Sequence, residues 1–516
     1  MGKIVPRRRH AALLLVALSA LAACSAGPSS RPVIAVHGDG AQTQTQAPAG
    51  ARDIPPLGAM KSNLTWSQCT ESTRLRMGAT APAGDQSYEC ARLVVRLDAP
   101  SRPGRGNLGL SLLKVGTGGS ALVVVGDAGG EPGTVKAARL AASLPPALLS
   151  TFSLIGVDRR GTGKSDGVQC VPEVARAGIV EADPADPSQE DLLAAVGRAS
   201  QECVLDLENR LPAVDSWRAA ADLEAVREAL GADHLNAIGV GDGSKVLTLY
   251  AGRFPDRVGR LVFDGAPDPT MDVPSAAEAR AAAAEDAFEA FQKDCVVRGC
   301  ALGADATRRF TELLSALRDR PLRGGEVDLT PGAAVSAVLA GLADRPRWPA
   351  LADAVVAAET GNAGPLLEFV RPQVVDRDEN PALFDAGFVT ACNDTTTRVP
   401  PERVAGIAED WRGRHPLFGG WFARRMLLCG PFPVPPLPET PKVGSAPPVL
   451  VLTTAADPVT PRSGTERAAQ ALPAGVVVGW QGGGHGALGQ SSCAATAARE
   501  FLVDAVLPTN GTVCPP

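Results

Sequence analysis

The chain has 516 residues, 45% of them hydrophobic, enough for one large α/β domain with an insertion or for two domains. A net charge of -6 excludes the domain-wide basic excess that a nucleic-acid partner requires. Only 4% of the residues are aromatic, so Leu, Val and Ala must fill the core.

Residues 1–23 read as an export signal, with a basic start (Lys3, Arg7, Arg8, Arg9), an apolar stretch over 11–21, then small residues. Leu21-Ala22-Ala23-Cys24 has the form of a bacterial lipobox. Cys24 would then be the lipidated first residue of an exported protein on the outer face of the cell membrane; an ordinary cleaved signal or a short anchor is the alternative. No later apolar run approaches the ~20 residues needed to span a bilayer, so attachment would be by lipid alone. Residues 24–56 hold much Ser, Gly, Pro, Gln, Thr and Ala and few bulky apolar side chains, the composition of a flexible tether.

Residues 91–97 and 108–113 alternate enough to suggest a half-exposed antiparallel start. The apolar runs 121–125 and 152–157 read as buried parallel strands that deliver loops to one edge of a sheet. A helix over 216–230 with Asp215 or Ser216 at its N-cap comes next, then strand 235–239, a glycine-rich turn, a helix over 244–253 and a buried strand over 258–264. This alternation gives an α/β class with a mostly parallel sheet. Residues 270–446 break the rhythm with Ala-rich helical pieces (276–292, 306–317, 349–360), and strands and helices resume at 449–452, 463–472, 476–478 and 494–507. The core is thus expected over 57–269 and 447–516, with 270–446 inserted as a helical lid.

The turn Gly239-Val240-Gly241-Asp242-Gly243 has the outline of a G-x-S-x-G nucleophile elbow, the strand-to-helix turn that lifts its central side chain clear of the sheet. Its central residue is Gly241, which adopts the strained angles without penalty but carries no attacking atom. In this layout an acid and a histidine follow the nucleophile in chain order, each after a strand. Asp457, in Ala456-Asp457-Pro458, and His485, in Gly484-His485-Gly486, meet that expectation as carboxylate and general base.

Eleven cysteines less Cys24 leave an even set in an exported chain, which favours disulfides over metal sites. Five histidines and no paired C-x-x-C leave little for a metal, and no cofactor is expected. Sequence order suggests pairing Cys69 with Cys90, Cys170 with Cys203, Cys295 with Cys300, Cys392 with Cys429 and Cys493 with Cys514, although order alone leaves the connectivity open.

The chain resembles the secreted tripeptidyl-aminopeptidase-like branch of the α/β-hydrolases, related to proline iminopeptidases. The resemblance rests on Asp158-Arg159-Arg160-Gly161-Thr162-Gly163-Lys164-Ser165, on the stretch from Phe254-Pro255-Asp256 to Asp264-Gly265, on Ala391-Cys392-Asn393-Asp394 and on the loops carrying Asp457 and His485. It implies an α/β-hydrolase fold with a helical lid, serine peptidases that remove short peptides from free N-termini, and the neighbouring cysteine pairing. It also makes Asp264, Asn393 and Asp394 candidates for holding a free amino terminus.

Two departures stand out. The family's nucleophilic serine aligns with Gly241, and the oxyanion loop, normally built round Gly-Pro-Gly, reads Gly126-Asp127-Ala128-Gly129-Gly130-Glu131-Pro132-Gly133. Gly129, Gly130 and Asp242 are the candidate oxyanion donors, and the acidic Asp127 and Glu131 would oppose a developing negative charge. Ser244 is the fallback nucleophile, more suited to capping its helix; Asp242 as nucleophile would need glycines at Val240 and Ser244. Three readings follow: a family member that has lost serine catalysis and binds a peptide or other extended ligand under the lid; a working hydrolase using Ser244; a structural or partner-binding envelope protein. An open seat at Gly241 would favour binding, and a side chain plugging it would favour a scaffold.

Overall fold

Apolar runs buried on both faces build the centre of a ten-stranded sheet ordered β1-β2-β3-β5-β4-β6-β7-β8-β9-β10. The strands are β1 (Ser67–Gln68), β2 (Glu89–Arg96), β3 (Asn107–Val115), β4 (Ser120–Val125), β5 (Phe152–Val157), β6 (Leu235–Val240), β7 (Val258–Asp264), β8 (Val449–Ala456), β9 (Gly475–Gly483) and β10 (Thr512–Cys514). The computed structural model describes residues 1–2, 52–78, 81, 86–100, 104–377 and 380–516. The export signal, Cys24 and most of the tether lie outside the described residues. The expected tether is shorter than its boundary at 56, because the Arg52 N–H already donates to Ala446 O (3.0 Å) and Ile54 packs against the core.

Every pair from β5 through β4 and β6 to β10 is parallel, while β1, β2 and β3 pair antiparallel at the other edge, as their alternating sequences suggest. The two-residue β1 and three-residue β10 are too short for alternation to announce them. From β4 the chain moves outward to β5 and then returns to place β6 on the other side of β4. The loops after β4 and β6 therefore diverge, opening a crevice at the carboxyl ends of adjacent strands.

Among the described residues, 270–446 hold helices from Val273–Arg298 to Gly419–Arg425, irregular chain from 431 on, and isolated bridges such as Leu322 to Leu329. The lid also draws on residues outside that insertion. Helices Glu173–Glu181 and Glu190–Leu207, between β5 and β6, contribute Val180, Val196 and Cys203 to the same hydrophobic cluster as Phe288, Leu366 and Phe418. Among the described residues five disulfides form, joining Cys69 to Cys90, Cys170 to Cys203, Cys295 to Cys300, Cys392 to Cys429 and Cys493 to Cys514. No helix among them is long and apolar enough to cross a membrane.

Candidate functional site

The elbow forms with a glycine at its centre. Gly241 sits at φ +57° between β6 and the helix Gly243–Arg253, and its N–H donates to Asp264 O (3.2 Å). The flanking glycines let helix and sheet approach: a Cβ on Gly239 would lie 2.8 Å from Ser244 Cα, and one on Gly243 would lie 2.8 Å from Val125 C.

Asp457 leaves the end of β8 and is buried, its Oδ1 accepting the N–H groups of Val459 (2.8 Å) and Thr460 (3.0 Å) and its Oδ2 the Thr460 hydroxyl (2.7 Å). This leaves its outer lone pairs to His485, whose Nδ1 lies 3.0 Å from Asp457 Oδ2. The His485 loop follows β9 and is pinned from the lid by its own N–H on Ala343 O (2.8 Å). The sequence-predicted carboxylate and histidine thus meet.

The opposite ring nitrogen meets Asp127, expected from the sequence only to oppose an oxyanion. Asp127, on the loop after β4, places Oδ2 2.9 Å from His485 Nε2 and accepts the Asp242 N–H at Oδ1 (2.8 Å). Asp127 therefore takes both partners that a catalytic serine and its oxyanion would use. Its carboxylate stands over Gly241: a Cβ there would be 2.6 Å from Asp127 Cγ. The signal in the sequence was a pair, a glycine at 241 and a carboxylate at 127.

The candidate oxyanion donors are arranged differently from expectation. Asp242 supplies its N–H, but to Asp127. Gly130 N–H turns back onto Asp127 O (3.3 Å), and Gly129 is pressed against Gly387 of the lid helix Leu383–Asn393, where a Cβ on Gly387 would lie 2.7 Å from Gly129 Cα. The loop N–H that crosses toward the elbow is that of Ala128, and it donates to Asp242 Oδ1 (3.1 Å). That carboxylate is clamped by Arg159 Nη1 (2.5 Å), which also donates to Gly126 O (3.3 Å), so the family motif around Arg159 ties elbow to loop. Glu131 pairs with Arg139, away from the seat.

Ser244 is no substitute nucleophile. It is fully buried, and its hydroxyl lies under the elbow within 2.9 Å of Gly239 O and 2.6 Å of Gly265 O. Nor does it cap its helix; a donor hydroxyl held by two main-chain carbonyls points away from a histidine whose two nitrogens are already engaged. The candidates for an amino terminus are likewise consumed. Asp264 accepts the N–H groups of Ala487 (2.6 Å) and Leu488 (3.1 Å), Asn393 donates to Leu211 O and Val214 O, and Asp394 holds Ser216 and Lys245.

Electrostatics follow from this arrangement. Burial would lower the His485 pKa, but the carboxylates of Asp457 and Asp127 outweigh it and raise the imidazole to about 10. Burial would raise Asp127, yet His485 and the Asp242 N–H hold it at about 2. Asp242 is pushed up to about 6, chiefly by burial, with Arg159 opposing and Asp127 and Asp394 adding to the rise. At neutral pH the seat holds an imidazolium between two carboxylates, with no ring lone pair left to accept a proton. Among the described residues no group of His, Cys, Asp and Glu is placed to hold a metal ion.

A TAP-like protein family model matches residues 415–514, the stretch that carries both Asp457 and His485. That stretch is similar to the TAP-like proteins, and the mostly parallel sheet with its helices is an α/β-hydrolase fold. Among relatives of this chain is the serine protease Hip1 of Mycobacterium tuberculosis, 28% identical over 456 residues, covering 82% of this chain and 87% of that one. Carboxylesterase B of Mycobacterium tuberculosis is 26% identical, over 90% of this chain and 93% of its own. A tripeptidyl aminopeptidase of Streptomyces lividans is 25% identical, over 90% of this chain and 89% of its own.

Proposed function

We propose that this protein is exported, held to the membrane by lipid on Cys24, switched off as a serine hydrolase and retained to bind a short peptide or similarly extended ligand beneath its lid. The Asp127–His485 contact carries the loss of serine hydrolysis, and the ligand-binding part rests on the named relatives alone. Serine hydrolysis needs a hydroxyl at the elbow and a neutral imidazole to take its proton. Here position 241 has no side chain, a carboxylate fills the space, and the imidazole already holds both protons. Removing triad residues in a serine protease costs up to about 10⁶ in turnover. Relatives named as a serine protease and a tripeptidyl aminopeptidase support peptides as the ligand class. The disulfides support export, and the Leu21–Cys24 sequence supports lipidation.

Two experiments test it. Purified protein treated with a fluorophosphonate gains no adduct mass, and cells fed a clickable palmitate label the wild type but not Cys24→Ser. A stoichiometric adduct on any residue, or equal labelling of the Cys24→Ser variant, refutes the corresponding part. The plugged seat favours a second reading, a structural or partner-binding envelope protein whose pocket takes no small ligand. Native mass spectrometry with added tripeptides separates the two.

A further inference from the structure

The groups that would disable a serine at 241 surround Asp127 as a carboxylate nucleophile would need them. Asp127 Oδ1 accepts the Asp242 N–H (2.8 Å), the elbow donor that would polarise a carbonyl oxygen in a serine hydrolase. Oδ2 lies 2.9 Å from His485 Nε2, and Asp457 Oδ2 holds the opposite ring nitrogen at 3.0 Å. Among the described residues each Asp127 oxygen thus has one partner, and a carboxylate oxygen carries two lone pairs, so each keeps one free. The side chains of Asp127 and His485 keep 20% and 10% of their surface accessible, so the lid does not seal them from water.

The ring between two carboxylates is no base while Asp127 is charged. Once Asp127 Oδ2 is bonded to carbon that charge is gone, Asp457 alone faces the ring, and the proton on Nε2 is no longer held. The lone pair then exposed points at the new ester. The first step therefore creates the base for the second. The same geometry limits the leaving group. Both imidazolium protons are aimed at carboxylate oxygens, so His485 offers none to an atom departing from the far side of the attacked carbon. A group that leaves as a stable anion, a halide, needs none.

We propose that Asp127 is a nucleophile toward saturated carbon and that the seat hydrolyses primary alkyl halides through an Asp127 ester. Serine hydrolysis stays lost, and nothing here depends on the peptide reading. An Asp127 Oδ2 lone pair forms the O–C bond while the carbon–halogen bond breaks and the halide leaves with its electron pair; the Nε2 proton passes to solvent. Water then adds to Cγ and gives a proton to Nε2, with the oxyanion on Oδ1 held by the Asp242 N–H. Collapse breaks the Cγ–Oδ2 bond, and the departing alkoxide takes the Nε2 proton to become the alcohol. The Asp127 acid returns its own proton to the ring, restoring the resting pair. The sum is alkyl halide plus water to alcohol, halide and one proton.

Purified full-length protein incubated with hexyl bromide in ¹⁸O-labelled water tests this. Expected are bromide and hexanol, ¹⁸O in the Asp127 carboxylate by peptide mass spectrometry, and unlabelled hexanol in the first turnover, because its oxygen comes from Asp127. Asp127→Asn should lower bromide release by about 10³-fold or more. His485→Gln, which keeps the nucleophile but lacks the base, should accumulate a hexyl ester on Asp127. The wild-type label holds as evidence even where a variant fails to fold. Neither bromide release by the wild type nor a hexyl ester in His485→Gln would overturn the assignment. So would bromide release that survives Asp127→Asn, or ¹⁸O in the first-turnover hexanol. Styrene oxide in place of the bromide is the second arm: its turnover alone, with ¹⁸O on Asp127, upholds the nucleophile and overturns the halide as its substrate class. Fluorophosphonate labelling and tripeptide binding report on the other readings separately.

Discussion

Asp127 and Gly241 occupy one volume between them: the Asp127 carboxylate fills the space a side chain at 241 would need, with Cγ 2.6 Å from the position of that missing Cβ. Neither departure from the family pattern is independent of the other. The glycine makes room for the carboxylate, and the carboxylate consumes the donors that would serve a serine.

Gly241→Ser alone should therefore not restore catalysis. Its φ of +57° costs a residue with a side chain about 1–2 kcal/mol, and the new Oγ must also expel Asp127 from its bonds to His485 and Asp242. We expect no fluorophosphonate adduct in Gly241→Ser and an adduct at residue 241 in the Asp127→Gly/Gly241→Ser double variant. Equal labelling of the two variants would show that the plug yields freely.

His485 should remain an imidazolium at pH 8, since its pKa is raised to about 10. Two-dimensional ¹⁵N NMR of the ring gives two protonated nitrogens in that case. In Asp127→Asn one carboxylate is lost and the apparent pKa should fall. A neutral ring at pH 8 in the wild type would contradict the charge state on which the proposed loss of general-base function rests.

Stability should carry the same signature. His485, raised from 6.5, contributes fully below pH 6.5 and loses that contribution as pH rises through about 10. Asp127, lowered from 3.8, contributes fully above that value and loses its share as pH falls through about 2. Urea unfolding of wild type and Asp127→Asn should thus differ most between about pH 4 and 6.5, with the gap narrowing on both sides. A gap that stays constant from pH 5 to pH 10 would rule this out.

Ser244→Ala should be a stability variant. It removes the one buried hydroxyl proton that lies between the carbonyls of Gly239 and Gly265, at a cost of about 1–3 kcal/mol in urea unfolding. Any hydrolysis that disappears with this substitution while stability is unchanged would return Ser244 to the list of nucleophiles.

The disulfides should differ in worth. Cys392–Cys429 spans 37 residues and Cys295–Cys300 only 5. Loop-closure entropy gives roughly 4 kcal/mol for the former and roughly 2 kcal/mol for the latter. Paired Cys→Ala variants compared by denaturant midpoint check the order, and an equal or reversed ranking would count against it.

The central strands β4 to β8 were legible because each is a buried apolar run followed by Gly or Asp. β5 and β7 match their sequence-predicted bounds at both ends. The lid's full membership was not legible: helices Glu173–Glu181 and Glu190–Leu207 lie in sequence between core strands, and only packing assigns them to the lid cluster. At the site, chain order alone brought Asp457 and His485 to neighbouring loops, because each follows a strand of one parallel sheet.

By itself the sequence determined the α/β-hydrolase pattern, the empty centre of the elbow and the order of its partners, since these follow from periodicity and from which atoms a residue carries. Only the tertiary structure decided what fills that centre and what charge His485 bears. Asp127 is 114 positions from Gly241 along the chain (241 less 127), and no local pattern shows that the β4–β6 crossover brings them together. Once they meet, exclusion of volume and the field of two carboxylates fix the outcome.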